Sequence, residues 1–179
     1  MTSKKKILAI PGSTRTNSTN LNLIKAITGL TASIFTIKVF EGLSEIPHFN
    51  PDLDNENPPK QVVEFRKQIK EADGILICTP EYAMGVPGTL KNAIDWTVSS
   101  CGFSNKPTAL ITASSAGQNA HASLLETLKV IETKMTQETQ LVISFVKTKV
   151  NNACKITDEK TLLEITTLIN AFDSLLRQE

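Results

Sequence analysis

Two stretches carry residue types and spacings suited to holding a ligand. The first is Gly12-Ser13-Thr14-Arg15-Thr16-Asn17-Ser18-Thr19-Asn20. It follows the short apolar run Lys6 to Ile10 and precedes Leu23, Ile24, Ile27 and Leu30, which recur at helical spacing. A strand-to-helix junction leaves backbone N–H groups unpaired at the positive end of the helix dipole, so it favours an anion. Ser13, Ser18, Thr19 and Asn20 add hydroxyl and amide donors. Arg15 adds a guanidinium fork suited to phosphate oxygens. The plainer alternative is a hydrophilic loop with a helix cap. Neither G-x-x-x-x-G-K-[ST] nor G-x-G-x-x-G occurs, so the stretch is not a nucleoside-triphosphate P-loop and carries no dinucleotide fingerprint.

The second stretch is Thr79-Pro80-Glu81-Tyr82-Ala83-Met84-Gly85-Val86-Pro87-Gly88, continuing through Lys91, Asn92 and Asp95 to Trp96. Its prolines and glycines specify a fixed loop geometry. Such a loop at the carboxyl end of a strand can hold a planar ring through backbone groups and the flank of Tyr82. Lys91, Asn92 and Asp95 fall a turn or more inside the following helix, where bracing the loop is their expected task. Trp96, the sole tryptophan, is expected in the core or at a subunit interface. A third small-residue turn, Ser114-Ser115-Ala116-Gly117, follows the apolar run Thr108 to Thr112.

The remaining reactive residues form no constellation. The histidines are His48 and His121; the latter, near a helix start, is expected to be exposed or capping, with contact to a nicotinamide phosphate or a second subunit as the alternative. Cys78, Cys101 and Cys154 are odd in number and far apart, which implies neither a disulfide framework nor a zinc site and suits a reducing cytoplasm. Cys78 falls within an apolar run and is expected to be an inert core thiol.

These stretches need a scaffold. Strands are expected at Lys6 to Ile10, Ile34 to Phe40, Gly74 to Cys78, Thr108 to Thr112 and Leu141 to Val146. Helices are expected from about Ser18 to Leu30, after Pro59, over Leu90 to Val98, from about His121 to Met135, and after a Thr157 cap with Leu162, Ile165, Ile169, Phe172 and Leu176 on one face. Pro47, Pro51, Pro58 and Pro59 make the stretch from Ile46 to Pro59 a loop. Alternating strands and helices imply a parallel α/β sheet covered on both faces. Ligands of such sheets sit beyond the carboxyl ends of the strands, where strand order reverses. That rule selects the turns after the first, third and fourth strands.

Composition sets the outer bounds. The chain of 179 residues, 40% hydrophobic and 21% charged, suits a single domain over 1–179 with a real core. Nineteen basic against 18 acidic residues argue against nucleic-acid binding. No stretch approaches the ~20 apolar residues of a membrane span, so no membrane partner is expected.

Together, Gly12-Ser13-x-Arg15-x-x-Ser18-x-Asn20 and the run from Pro80-Glu81-Tyr82 through Pro87-Gly88-x-Leu90-Lys91-Asn92-Ala93-Ile94-Asp95-Trp96 resemble the flavodoxin-like NAD(P)H-dependent FMN reductases, a family that includes quinone, chromate and azo reductases. The loop Ile46 to Leu53 is similar to the family's proline-and-acid stretch. The resemblance implies a flavodoxin-like three-layer sandwich with a five-stranded parallel sheet in the order 2-1-3-4-5. It implies FMN as cofactor and NADPH or NADH as co-substrate. The nicotinamide would deliver hydride to the flavin and leave, and a small-molecule electron acceptor would take its place in ping-pong fashion. By position, Ser13, Arg15, Ser18, Thr19 and Asn20 would grip the FMN phosphate. Pro80, Glu81, Tyr82 and Ala83 would lie along the flavin ring, and Ser115 and Gly117 would border it. No protein side chain is required as catalyst, Glu81 included, because the flavin carries the chemistry. The resemblance further implies a homodimer or homotetramer. The chain departs from the family at Ala83, where many members have Asn, and after the third turn, where many have a Gly-Gly pair and this chain reads Gly117-Gln118-Asn119-Ala120-His121-Ala122. Both departures lie where a second substrate would approach. The competing reading is a flavodoxin-type electron carrier without NAD(P)H turnover. Near-neutral charge and a single ring-flanking aromatic, Tyr82, argue against it. A scaffold that keeps the fold without flavin is the third reading.

Overall fold

A computed structural model describes residues 3–178. Five strands, β1 (Lys5–Pro11), β2 (Phe35–Val39), β3 (Gly74–Thr79), β4 (Thr108–Ala113) and β5 (Gln140–Ile143), form one parallel sheet in the order β2-β1-β3-β4-β5. Five helices cover it: α1 (Thr19–Leu30), α2 (Lys60–Glu71), α3 (Gly88–Asp95), α4 (Gln118–Val130) and α5 (Glu159–Leu176). The expected strand order is the one found.

Strand alternation builds two cores. Ile7 and Ala9 of β1, Leu76 and Cys78 of β3, and Ala109 and Ile111 of β4 pack against α1 and α5. Leu8 and Ile10, Ile75 and Ile77, and Leu110 face α2, α3 and α4 instead. With both faces covered, β3 and β4 are buried at every position, which is why they read as unbroken apolar runs.

Helix α3 spans Gly88–Asp95 rather than Leu90 to Val98, and four further boundaries depart from expectation for a local reason. Helix α4 begins at Gln118 rather than His121, because Gly117 turns the chain with φ +112°. It ends at Val130 rather than Met135, with Glu132 at φ +59° directing the chain toward β4. Strand β5 stops at Ile143, so Val146 belongs to a short 3₁₀ turn, Val146–Thr148. Asp158, not Thr157, caps α5: its Oδ1 accepts from the Thr161 N–H at 2.8 Å. Two residues assigned to apolar faces, Leu30 and Leu162, are exposed instead.

Asn92 of α3 braces the Pro-rich loop between β2 and α2, not the turn from Thr79 to Gly88 for which the sequence suggested that task. The Asn92 Oδ1 accepts from the Phe49 N–H at 2.7 Å, and its Nδ2 donates to the Pro47 carbonyl at 2.9 Å. The fully buried Trp96 donates its indole N–H to the same carbonyl at 2.8 Å and meets Phe49 edge-on. Farther along, Arg66 of α2 pairs with Asp54 at 2.7 Å and donates to the Trp96 carbonyl, while Ser99 donates to the second Asp54 oxygen at 2.7 Å. Lys91 and Asp95 pair with each other on the surface at 2.6 Å.

Candidate functional site

At the carboxyl ends of the strands lies a cleft of about 370 Å³. Ser13, Arg15, Ser18, Thr19 and Asn20 line it from the β1–α1 turn, Pro80, Glu81 and Tyr82 from the β3 turn, and Ala113, Ser114 and Ser115 from the β4 turn. Nine of the eleven residues proposed from sequence therefore meet in one concavity. Ala83 and Gly117 are not among its lining residues.

One end of the cleft is built for an anion. The chain can turn there because Gly12 lies against β3. Its N–H donates to the Cys78 carbonyl at 2.8 Å, and a Cβ at Gly12 would come within 2.6 Å of the Thr79 Cβ. Helix α1 then starts at Thr19 with Ser18 in the capping position, yet the Ser18 side chain makes no capping hydrogen bond and the first turn holds no acid. The first N–H groups and the helix dipole are thus left to whatever enters the cleft. Ser13 and Ser18 are buried beside them. Arg15 is exposed, and no carboxylate among the described residues pairs with it.

Asn20 contributes differently. Its amide donates to the Ala113 carbonyl at 3.1 Å, and its Oδ1 accepts from the Cys78 thiol at 3.2 Å. The side chain ties α1 to β3 and β4 under the floor of the cleft. Complete burial pushes the Cys78 thiol far up, as expected of an inert core cysteine.

The other end suits a flat, apolar group. Tyr82 is half exposed and closes a tight hairpin with Gly85, each N–H donating to the other's carbonyl at 2.9 Å. The two residues at its tip, Ala83 (φ +47°) and Met84 (φ +62°), are left-handed, as a type I′ turn requires. Glu81, the one carboxylate lining the cleft, is already engaged. Its Oε2 accepts from the Ala120 N–H at 2.8 Å, and its carbonyl accepts from the Ser114 hydroxyl at 3.3 Å. Glu81 therefore caps α4 from across the site. Gly117, at the start of that helix, packs on Thr112 and Val142, where a Cβ would come within 3.2 Å of the Val142 Cγ1, and its φ of +112° would strain any side chain.

His121 is neither exposed nor capping. It is buried on α4, with Nδ1 2.9 Å from the Thr112 hydroxyl. Burial lowers its pKa, opposed in part by a hydrogen bond with Gln140.

Sequence reasoning missed a fourth wall, Phe145, Val146, Lys147 and Thr148 after β5. The signal for it was the strand order itself. With β5 beside β4, the turn after β5 must open on the same side as the turn after β4. Phe145 also corrects the expectation that Tyr82 is the sole aromatic available at the site.

In this flavodoxin-like fold, an uncapped helix start beside an arginine with no carboxylate partner among the described residues, joined to a proline-edged, aromatic slot at the sheet's reversal point, suits a phosphate-tailed planar ring. The donor set fits FMN. The comparisons then place the chain more narrowly. Residues 5–148 match the NADPH-dependent FMN reductase family, to which this chain belongs. It is an oxidoreductase of that family, which uses FMN with a nicotinamide co-substrate. An NAD(P)H-dependent FMN reductase of Pseudomonas aeruginosa is 34% identical over 161 residues, 87% of this chain and 86% of that protein. A quinone reductase of Pseudomonas putida strain KT2440 is 37% identical over 111 residues, 60% of this chain and 59% of the other. In structure, the flavoenzyme NAD(P)H:(acceptor) oxidoreductase FerB of Paracoccus denitrificans superposes with a TM-score of 0.87 at 28% identity, covering 97% of this chain and 98% of that one.

Proposed function

We propose that the cleft holds FMN noncovalently and that the enzyme reduces small-molecule acceptors, with quinones first among them and azo compounds, metal oxyanions or free flavin as alternatives. The observation that carries this reading is the union, in one cleft, of uncapped N–H groups beside Ser13, Ser18 and Arg15 with the Pro80–Tyr82 edge. When bound, FMN supplies a two-electron relay between NADPH or NADH and the acceptor. The residues of the chain position that relay. The α1 start and Arg15 hold the phosphate, Pro80 to Tyr82 line the ring, and Ser115 borders it. Ala83, at the hairpin tip, and Gly117, at the α4 start, shape the loops that carry these contacts. Glu81 fixes the mutual placement of two turns and moves no proton. Quinone reductases and FMN reductases among the relatives support the choice of acceptor class, and none of these relatives speaks for a one-electron carrier.

The same reading extends to a homodimer or homotetramer in the cytoplasm. The exposed Leu53, Met84 and Val98 support assembly. Three free cysteines suit a reducing compartment, and among the described residues no helix is long and apolar enough to cross a membrane.

Anaerobic stopped-flow mixing of the FMN-loaded protein with NADPH, and separately with NADH, tests the reading. Rapid bleaching of flavin absorbance, restored by a quinone, is the expected result; no bleaching with either nucleotide would overturn it. Arg15→Ala should weaken FMN binding by about 1.5–3 kcal/mol, the range of a charge-assisted contact, measured by fluorescence titration.

A further inference from the structure

We infer that the turn after β5 is a cofactor-binding wall, in which Phe145 packs on the ring system of FMN and Lys147 shares the phosphate with Arg15. The inference rests on the reading that this cleft holds FMN.

Phe145 is placed against its own interest. Its φ is +55°, a left-handed conformation that a bulky side chain rarely adopts and that persists only where the surroundings impose it. Here the surroundings do impose it. The Phe145 N–H donates to the Ser115 carbonyl at 3.3 Å, and the Val146 N–H donates to that of Ser114 at 3.1 Å. The Phe145 carbonyl accepts from the Thr148 N–H at 3.0 Å and from its hydroxyl at 2.9 Å. Val146 is buried and anchors the turn. Glycine would satisfy the same backbone with less strain. Yet the position carries a ring that is 68% exposed and lines the cleft, so folding alone gains little from it. What the ring gains must come from something entering the cleft. Tyr82, the other exposed aromatic of the cleft, stands on the β3 side, with β4 between the two. Two aromatics around one concavity suit a planar ring.

Lys147 adds charge. It is exposed, lines the cleft and has no carboxylate partner among the described residues. The segment that follows is tied to the first turn of α1, the Asn22 amide donating to the Asn151 carbonyl at 3.5 Å. The β5 turn is thereby held beside the anion end of the cleft. A phosphate monoester carries about −1.5 to −2 at neutral pH, so Arg15 alone leaves it under-neutralised. A second cation removes the deficit.

Titration of wild-type, Phe145→Gly and Lys147→Ala apoproteins with FMN and with riboflavin, which lacks the phosphate, separates the parts. Phe145→Gly should weaken both ligands about tenfold while raising the melting temperature of the apoprotein by about 2 °C through release of backbone strain. Lys147→Ala should weaken FMN by about three- to tenfold at low salt, less at high salt, and leave riboflavin unchanged. Unchanged FMN affinity in Phe145→Gly, with or without a changed oligomeric state, would overturn the role of the ring. Weaker binding with a lowered melting temperature would make Phe145 a structural residue and overturn it equally. Equal effects of Lys147→Ala on both ligands would overturn the phosphate contact. A wild-type protein that bound no FMN would instead remove the cofactor reading on which the inference stands.

Discussion

Ala83 shows how much of one position's meaning is hidden in backbone geometry. In sequence it reads as a small residue in a turn rich in proline and glycine, where many family members have Asn. In the structure it occupies the first left-handed position of a type I′ turn, where Asn and Gly are favoured and a β-carbon costs about 1 kcal/mol. Ala83→Asn should therefore raise stability by about 0.5–1 kcal/mol, read as a higher midpoint in urea unfolding. Glu81 carries the opposite lesson. Its type suggests acid–base work, but its carboxylate is spent on a backbone N–H. The site's donors were legible because Ser, Asn and Arg at a strand–helix junction have few other reasons to cluster. That Asn20 faces the floor, tied to Ala113 and Cys78, was not legible, because those partners lie 58 or more residues away in sequence.

At the scale of elements, α4 depends on a residue it does not contain. Gly117, at its capping position, offers no side-chain oxygen, and Glu81 supplies one from the β3 turn. Glu81→Ala should cost about 1–2 kcal/mol, as loss of a charged cap does, and should weaken FMN by loosening the β3 and β4 turns against each other. Thermal melts of the apoprotein and FMN titration measure the two effects separately. The elements themselves were readable from apolar periodicity, which is strongest in the doubly covered β3 and β4. Boundaries failed where the chain leaves an element through a left-handed residue other than glycine. Glu132 and Phe145 give no compositional warning of a stop, so α4 and β5 each read too long.

The whole molecule should lose stability on acidification in two stages. Burial holds the His121 imidazole neutral below its ordinary pKa. As pH falls through about 6.5, the unfolded chain takes up a proton that the folded chain refuses, and stability declines. At Asp54, burial by itself would raise the carboxyl, but hydrogen bonds from Arg66 and Ser99 and the guanidinium charge prevail and lower it. Its contribution is complete above the ordinary carboxylate value of about 3.9 and is lost as pH falls toward the depressed folded value. Urea midpoints measured at pH 7.5, 5.5 and 3.5 should fall in that order, and His121→Gln should flatten the upper step. The strand order was legible at this scale through the family resemblance, since periodicity alone sets no order. The fourth wall of the cleft follows from that order, but composition does not mark it, because the turn after β5 lacks the small residues that mark the other three.

Trp96 has a practical corollary. As the lone indole, sealed from water and tethered to the Pro47 carbonyl, it is an intrinsic optical gauge of the strap that joins the second strand to the second helix. A red shift of its emission marks the moment that strap peels away. An isoalloxazine seated nearby would dim the same signal by energy transfer, so a single unlabelled sample reports both unfolding and loading.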